Sequence, residues 1–125
     1  MARSTASGLA MPIQLSPEML AHCYDMVIAA SPTLTSWNLP PSEDIKFRVM
    51  KRKDRFAHHE VIGGVHHIVI SKALVVRFET LAATLIHELI HLHQDQTGLP
   101  RADNKTFEKF ADVLCKELDL DRGAF

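Results

Sequence analysis

Long apolar runs are missing from this chain. No stretch approaches the roughly 20 residues that a membrane-spanning helix needs, and Met1 to Ala10 has too little apolar length to read as a secretory signal. Cysteine is scarce as well: Cys23 and Cys115 are the only two, and they lie in separate apolar helical patterns. So placed, they exclude a Cys-x-x-Cys zinc ribbon. They read as reduced core residues rather than a disulfide, which predicts a cytoplasmic protein. An excess of either charge is also absent. A formal net charge of −1 argues against electrostatics alone recruiting nucleic acid or an anionic membrane. There is no internal repeat and no low-complexity tract. What remains, 125 residues of which 46% are hydrophobic and 23% charged, suits one globular domain with one modest core. The expected division is a disordered tail over 1–12 and a folded domain over 13–125.

The informative stretch is Leu81 to Gly98, LAATLIHELIHLHQDQTG. Within it, His87 and His91 stand four apart in a helix-forming run, so their side chains share one face and can share one cation. Glu88 sits roughly 100° further round, at the rim of that face. There it can take a proton from a metal-activated water without itself binding the metal. This is the H-E-x-x-H arrangement of zinc-dependent hydrolases. On a helical wheel Leu81, Leu85, Leu89 and Leu92 cluster on the far side, bridged by Ile86 and Ile90, while Ala83, Thr84, His87, His91 and Gln94 form a stripe. A helix so apolar must be buried over most of its surface. Two imidazoles and a carboxylate on a buried helix are costly unless something ligates or pairs them. His93 falls on the opposite side and reads as a solvent or packing residue. Gly98 followed by Pro100 stops the helix.

The flanking chain supplies a scaffold. Ser16-Pro17 opens a first helix whose core face is Met19, Leu20, Cys23, Met26, Val27 and Ala30; Ser31-Pro32 ends it, and the stretch through Pro40-Pro41 reads as loop. Ile45, Phe47 and Val49 alternate with Lys46 and Arg48 as in a half-buried strand. Phe56 to Ile62 and Val65 to Ser71 read as two further strands joined at Gly63-Gly64, a hairpin signal. His58, His59, His66 and His67 fall in that hairpin. They read as exposed strand histidines, a second metal site being the alternative, with at most one of each pair able to face a site. A last helix carries Phe107, Phe110, Ala111, Leu114 and Leu118 inward and Lys105, Lys109 and Lys116 outward, with a packed tail expected around Phe125. The elements predict an α+β single domain: an N-terminal helix, a small three-stranded antiparallel sheet, the central helix and a C-terminal helix.

A catalytic zinc takes three protein ligands and an open position. His87 and His91 provide two. Asp103 lies one turn before Phe107 on the inward stripe and is the first candidate for the third, although its residue type also suits the N-cap of the last helix. Glu108, at the edge of the stripe, is the other candidate. Asp95 shares the side of His91 but lies too far along the axis.

From about Ile45 onward the chain resembles the SprT-like (Spartan-type) zinc metalloprotease domains. The segments that carry the resemblance are the short strands, HHIVISKALV, TLIHELIH, a polar link and NKTFEKFADVLCKEL. The resemblance implies a zincin-like fold, zinc held by His87 and His91, and Glu88 as general base. The family's third ligand is usually a histidine four residues before an aromatic one; the matching position here is Asp103, four before Phe107. Larger members add a zinc ribbon or DNA-binding segments. The expectation is a zinc metalloendopeptidase acting on a protein or peptide. The alternatives are a non-catalytic protein whose metal staples a small core behind an interaction surface, and a DNA-associated module using the basic turn Lys51, Arg52, Lys53 and Arg55.

Overall fold

The computed structural model of the protein describes residues 14–99 and 104–124. The expected tail over 1–12, Asp103 and Phe125 lie outside the described residues. Helix α1 spans Pro17–Ala30. Ser16, in extended conformation, caps it by accepting a hydrogen bond from the backbone N–H of Met19 at 3.1 Å, and Pro17 occupies the first turn, where no N–H is needed. The same grammar repeats at Ser31-Pro32, where the sequence suggests loop. Ser31 Oγ accepts from the Leu34 N–H at 3.0 Å and a short helix α2, Pro32–Ser36, follows. Ser31 thus closes one helix and opens the next. Its hydroxyl also donates to Glu117 Oε1 at 2.6 Å, and Glu117 accepts from the backbone and side chain of Thr33. A carboxylate at the start of a helix satisfies its free N–H groups and matches its dipole.

A single 3-10 turn at Ser42–Asp44 leads to β1, Lys46–Met50. Strands β2, Ala57–Ile62, and β3, Val65–Ser71, form the expected hairpin, and Gly63 and Gly64 both take the positive φ that such a turn requires. The expected all-antiparallel meander is not what forms. The sheet order is β1-β3-β2, with β1 parallel to β3. The reason lies in burial. Ile68, Val69 and Ile70 of β3 are buried on both faces, so this strand takes the centre. The strands bearing Lys46, Arg48 and Glu60 take the edges, where charged side chains belong.

Register fixes the two faces. Phe47, Ile68 and His59 line up on one, as do Val49, Ile70 and Ala57; Arg48, Val69 and His58 share the other. The first face packs on the helices, α1 lying against β1. Tyr24 meets Phe47 edge-on at 5.5 Å and donates its hydroxyl to the carbonyl of Pro40 at 2.5 Å. Helix α3, Phe78–Thr97, lies against β2 and β3. As its composition requires, it is buried nearly all round: Leu81, Leu85, Ile86, Leu89, Ile90 and Leu92 have no solvent exposure. Truncating any of these to alanine removes about 2–5 kcal/mol. Gly98 ends α3 in left-handed conformation at φ 77°, its N–H reaching the Asp95 carbonyl while the Leu99 N–H reaches that of Gln94, the αL stop that favours glycine. Helix α4, Asn104–Leu118, seals the core with Ala111 and Leu114, while Lys105, Lys109 and Lys116 face solvent. Cys23 and Cys115 are buried free thiols; burial pushes Cys23 up to about 11. Among the described residues the architecture is α+β with four helices and a small mixed sheet. Among the described residues, no helix is long and apolar enough to cross a membrane.

Candidate metal centre

Helix α3 presents His87 and His91 on one side, and their Nε2 atoms stand 3.3 Å apart. Two imidazole nitrogens, each about 2.0–2.1 Å from one tetrahedral zinc ion, stand about 3.3–3.4 Å apart. The pair therefore has the spacing of one edge of such a site. His91 is aimed by its other nitrogen. Nδ1 lies 3.0 Å from Oε1 of Gln94; an amide oxygen only accepts, so this contact calls for a proton on Nδ1, which in the neutral ring leaves the lone pair on Nε2. Gln94 is fully buried. The helical stripe places Gln94 beside the histidines, but its role as an orienting partner emerges only from the geometry.

Phe107 of α4 closes the pair from the other side. Its ring centroid lies 4.7 Å from that of His87 and 5.1 Å from that of His91. This apolar cover has an electrostatic consequence. Burial first, then the nearby His91 and Arg122, lower the His87 pKa to about 4. His87 is therefore neutral at pH 7, the form in which imidazole ligates. Glu88, 5% exposed, sits next to it and faces a cleft.

That cleft, about 350 Å³, is lined by Arg55, Ala57, His58, His59, Glu60, His87, Glu88 and His91. Its far wall is β2, where alternation sends His59 inward and His58 outward. His59 is 5% exposed, not the exposed strand histidine expected, because the inner face of β2 lies against α3. Its Nε2 is 2.8 Å from Nδ1 of His66, and the two rings stack at 5.1 Å. Burial lowers the pKa of His66, with Asp95 acting in the opposite direction. The expected limit of one inward histidine per pair holds, since His59 and His66 take one face and His58 and His67 the other. His93 turns away and stacks on Trp37 at 3.9 Å, with Phe110 edge-on to both.

Among the described residues, no group of three or more histidine, cysteine, aspartate and glutamate side chains is arranged to hold a metal ion. Asp103, the first candidate for third ligand, lies outside them. Glu108 is exposed and bound to Arg122, which also holds Asp112 at 2.8 Å. The structure thus brings together His87, Glu88 and His91, adds Gln94, Phe107 and His59, and directs Glu108 elsewhere. Comparison of the chain with protein-family models gives no match, and neither does comparison with curated proteins.

Proposed function

We propose that the protein is a zinc-dependent metalloendopeptidase of the SprT-like, zincin-like kind. In this reading His87, His91 and Asp103 hold the metal and Glu88 is the general base. The observation that carries it is the 3.3 Å spacing of two Nε2 atoms at the floor of a cleft that also holds a buried carboxylate. When bound, the zinc ion supplies Lewis acidity that polarises the scissile carbonyl and makes a water more acidic. The chain's own residues do the rest. His87, held neutral by burial, and His91 would offer lone pairs, with the Gln94 amide oxygen placed to hold the proton of the second ring on Nδ1. Phe107 keeps bulk water off the pair. Glu88 accepts the proton of the attacking water and returns it to the departing amine.

The test is metal content and cleavage together. Purified protein should contain zinc in stoichiometric amount and cleave unstructured peptides, and chelation should abolish cleavage. His87→Ala and His91→Ala should each lose both the metal and the activity. Unchanged zinc in both variants would sink the assignment, while zinc bound without hydrolysis would leave the non-catalytic, metal-stapled alternative.

A further inference from the structure

The connection between β1 and β2 is crowded with cations: Lys51, Arg52, Lys53 and Arg55, with Asp54 as its one acid. Asp54 is already taken. Arg52 Nε donates to its Oδ1 at 2.8 Å and Arg52 Nη2 to its other oxygen. Arg48 is likewise committed, donating to Glu60 at 3.0 Å. Arg55 differs from both. It makes no hydrogen bond or ion pair with any described residue, and it is the only one of the three arginines that lines the cleft over Glu88. His58, beside it, registers the local field. Burial lowers its pKa, Glu60 opposes this, and the charges of Arg55, Arg48 and Arg52 lower it further.

We propose that Arg55 is a specificity-determining residue that binds a carboxylate of the substrate on one side of the scissile bond. The inference rests on the peptidase reading above. A planar guanidinium with its donors free is matched in shape and charge to a carboxylate. The cleft also argues against a nucleic-acid strand as the occupant. Strand-binding grooves carry successive cations along the backbone track, whereas here the single free guanidinium is followed by Glu60 and then Glu88. A polyanion would have to run past both carboxylates; a peptide with one well-placed acid would not.

The zinc-loaded protein would be assayed on N-acetylated, C-terminally amidated peptides that differ only in carrying glutamate, glutamine or lysine at each position flanking the cleavage point. At one flanking position, glutamate should be favoured over glutamine by about tenfold, mainly through KM, as expected for a charge-assisted contact. Arg55→Ala should collapse that ratio toward one, and Arg55→Glu should turn it in favour of lysine. Lys53→Ala, outside the cleft, should keep the wild-type ratio. Free-acid peptides run in parallel separate the two sources of a carboxylate: a preference that follows the unblocked C-terminus supports the same contact with the terminus as its source. Cleavage with no acid preference, or a preference that survives Arg55→Glu, overturns the role of Arg55 alone. Absence of cleavage for every peptide overturns the peptidase reading and this inference with it. Inhibition by a single-stranded oligonucleotide that depends on Arg55, without any acid preference, would reassign the guanidinium to phosphate.

Discussion

The side-chain oxygen of Gln94 stands 3.0 Å from Nδ1 of His91, so a buried acceptor lies against the nitrogen of that histidine that faces away from His87. Partners of this kind fix a ligand's tautomer and orientation, and their loss typically costs ~10–100-fold in metal affinity. Gln94→Leu keeps the volume and removes the acceptor. It should leave the fold cooperative while weakening zinc binding by about that factor in a chelator-competition titration. Equal affinity in the two proteins would make Gln94 a packing residue only.

Glu88→Gln separates the proposed base from the proposed ligands. The amide is nearly isosteric but cannot take up a proton, so zinc content and melting behaviour should match the wild type. Peptide cleavage should fall by at least ~10²–10⁴-fold. Loss of zinc from this variant would instead make Glu88 a ligand, and the mechanism would have to be abandoned.

Asp103 offers two readings with opposite signatures. As a ligand, Asp103→Asn should weaken zinc binding strongly, because a neutral amide is a poor ligand, and Asp103→His should retain it. As an N-cap only, asparagine should be silent, and histidine should cost about 1 kcal/mol of stability without changing zinc affinity. Zinc titration and urea denaturation of both variants tell the two roles apart.

Acid should destabilise the metal-free protein in a defined window. His87 is held neutral by burial, down to about 4 against an ordinary 6.5. As pH falls through 6.5 the unfolded chain takes up a proton that the folded one refuses, so stability drops between about 6.5 and 4 and then levels off on this account. Glu117 adds to the loss lower down. Its hydrogen bonds from Ser31 and Thr33 hold it below its ordinary 4.5, so its contribution is present above 4.5 and lost as pH falls through its folded value. Denaturation midpoints across this range should show the first fall blunted in His87→Phe.

The clamp at Ser31 should be measurable in the same way. Ser31→Ala removes the cap of α2 and a buried donor to Glu117, and should cost about 1–2 kcal/mol. Glu117→Ala, at an exposed carboxylate, should cost less. The check is the urea midpoint at constant slope.

Helical spacing carries most of the site, because His87, Glu88 and His91 lie within one turn and periodicity alone dictates their relative directions. Ser16-Pro17 and Gly98 are legible for a related reason: a cap is a local demand of the backbone. Strand order is harder. Alternation says which residues share a face, not which strand is the neighbour, although the buried run Ile68-Val69-Ile70 is the mark of a central strand. The helical reading of Ser31-Pro32 is masked because the same serine ends the preceding helix. His59 is hidden for a tertiary reason. Its direction along the strand is evident, but its burial depends on α3, which arrives some twenty residues later.

The central place of β3 bears on how the chain reaches this structure. The β2–β3 hairpin joins residues separated by two glycines, whereas β1 must pair with β3 across the intervening connection, β2 and its turn, Lys46 lying opposite His67. Closing the shorter loop loses less chain entropy, so the hairpin that carries His59 can assemble first and serve as the template on which β1 docks from the far edge. Pairings distant in sequence slow folding. The rate of folding should therefore respond to the Gly63-Gly64 turn before it responds to anything in β1.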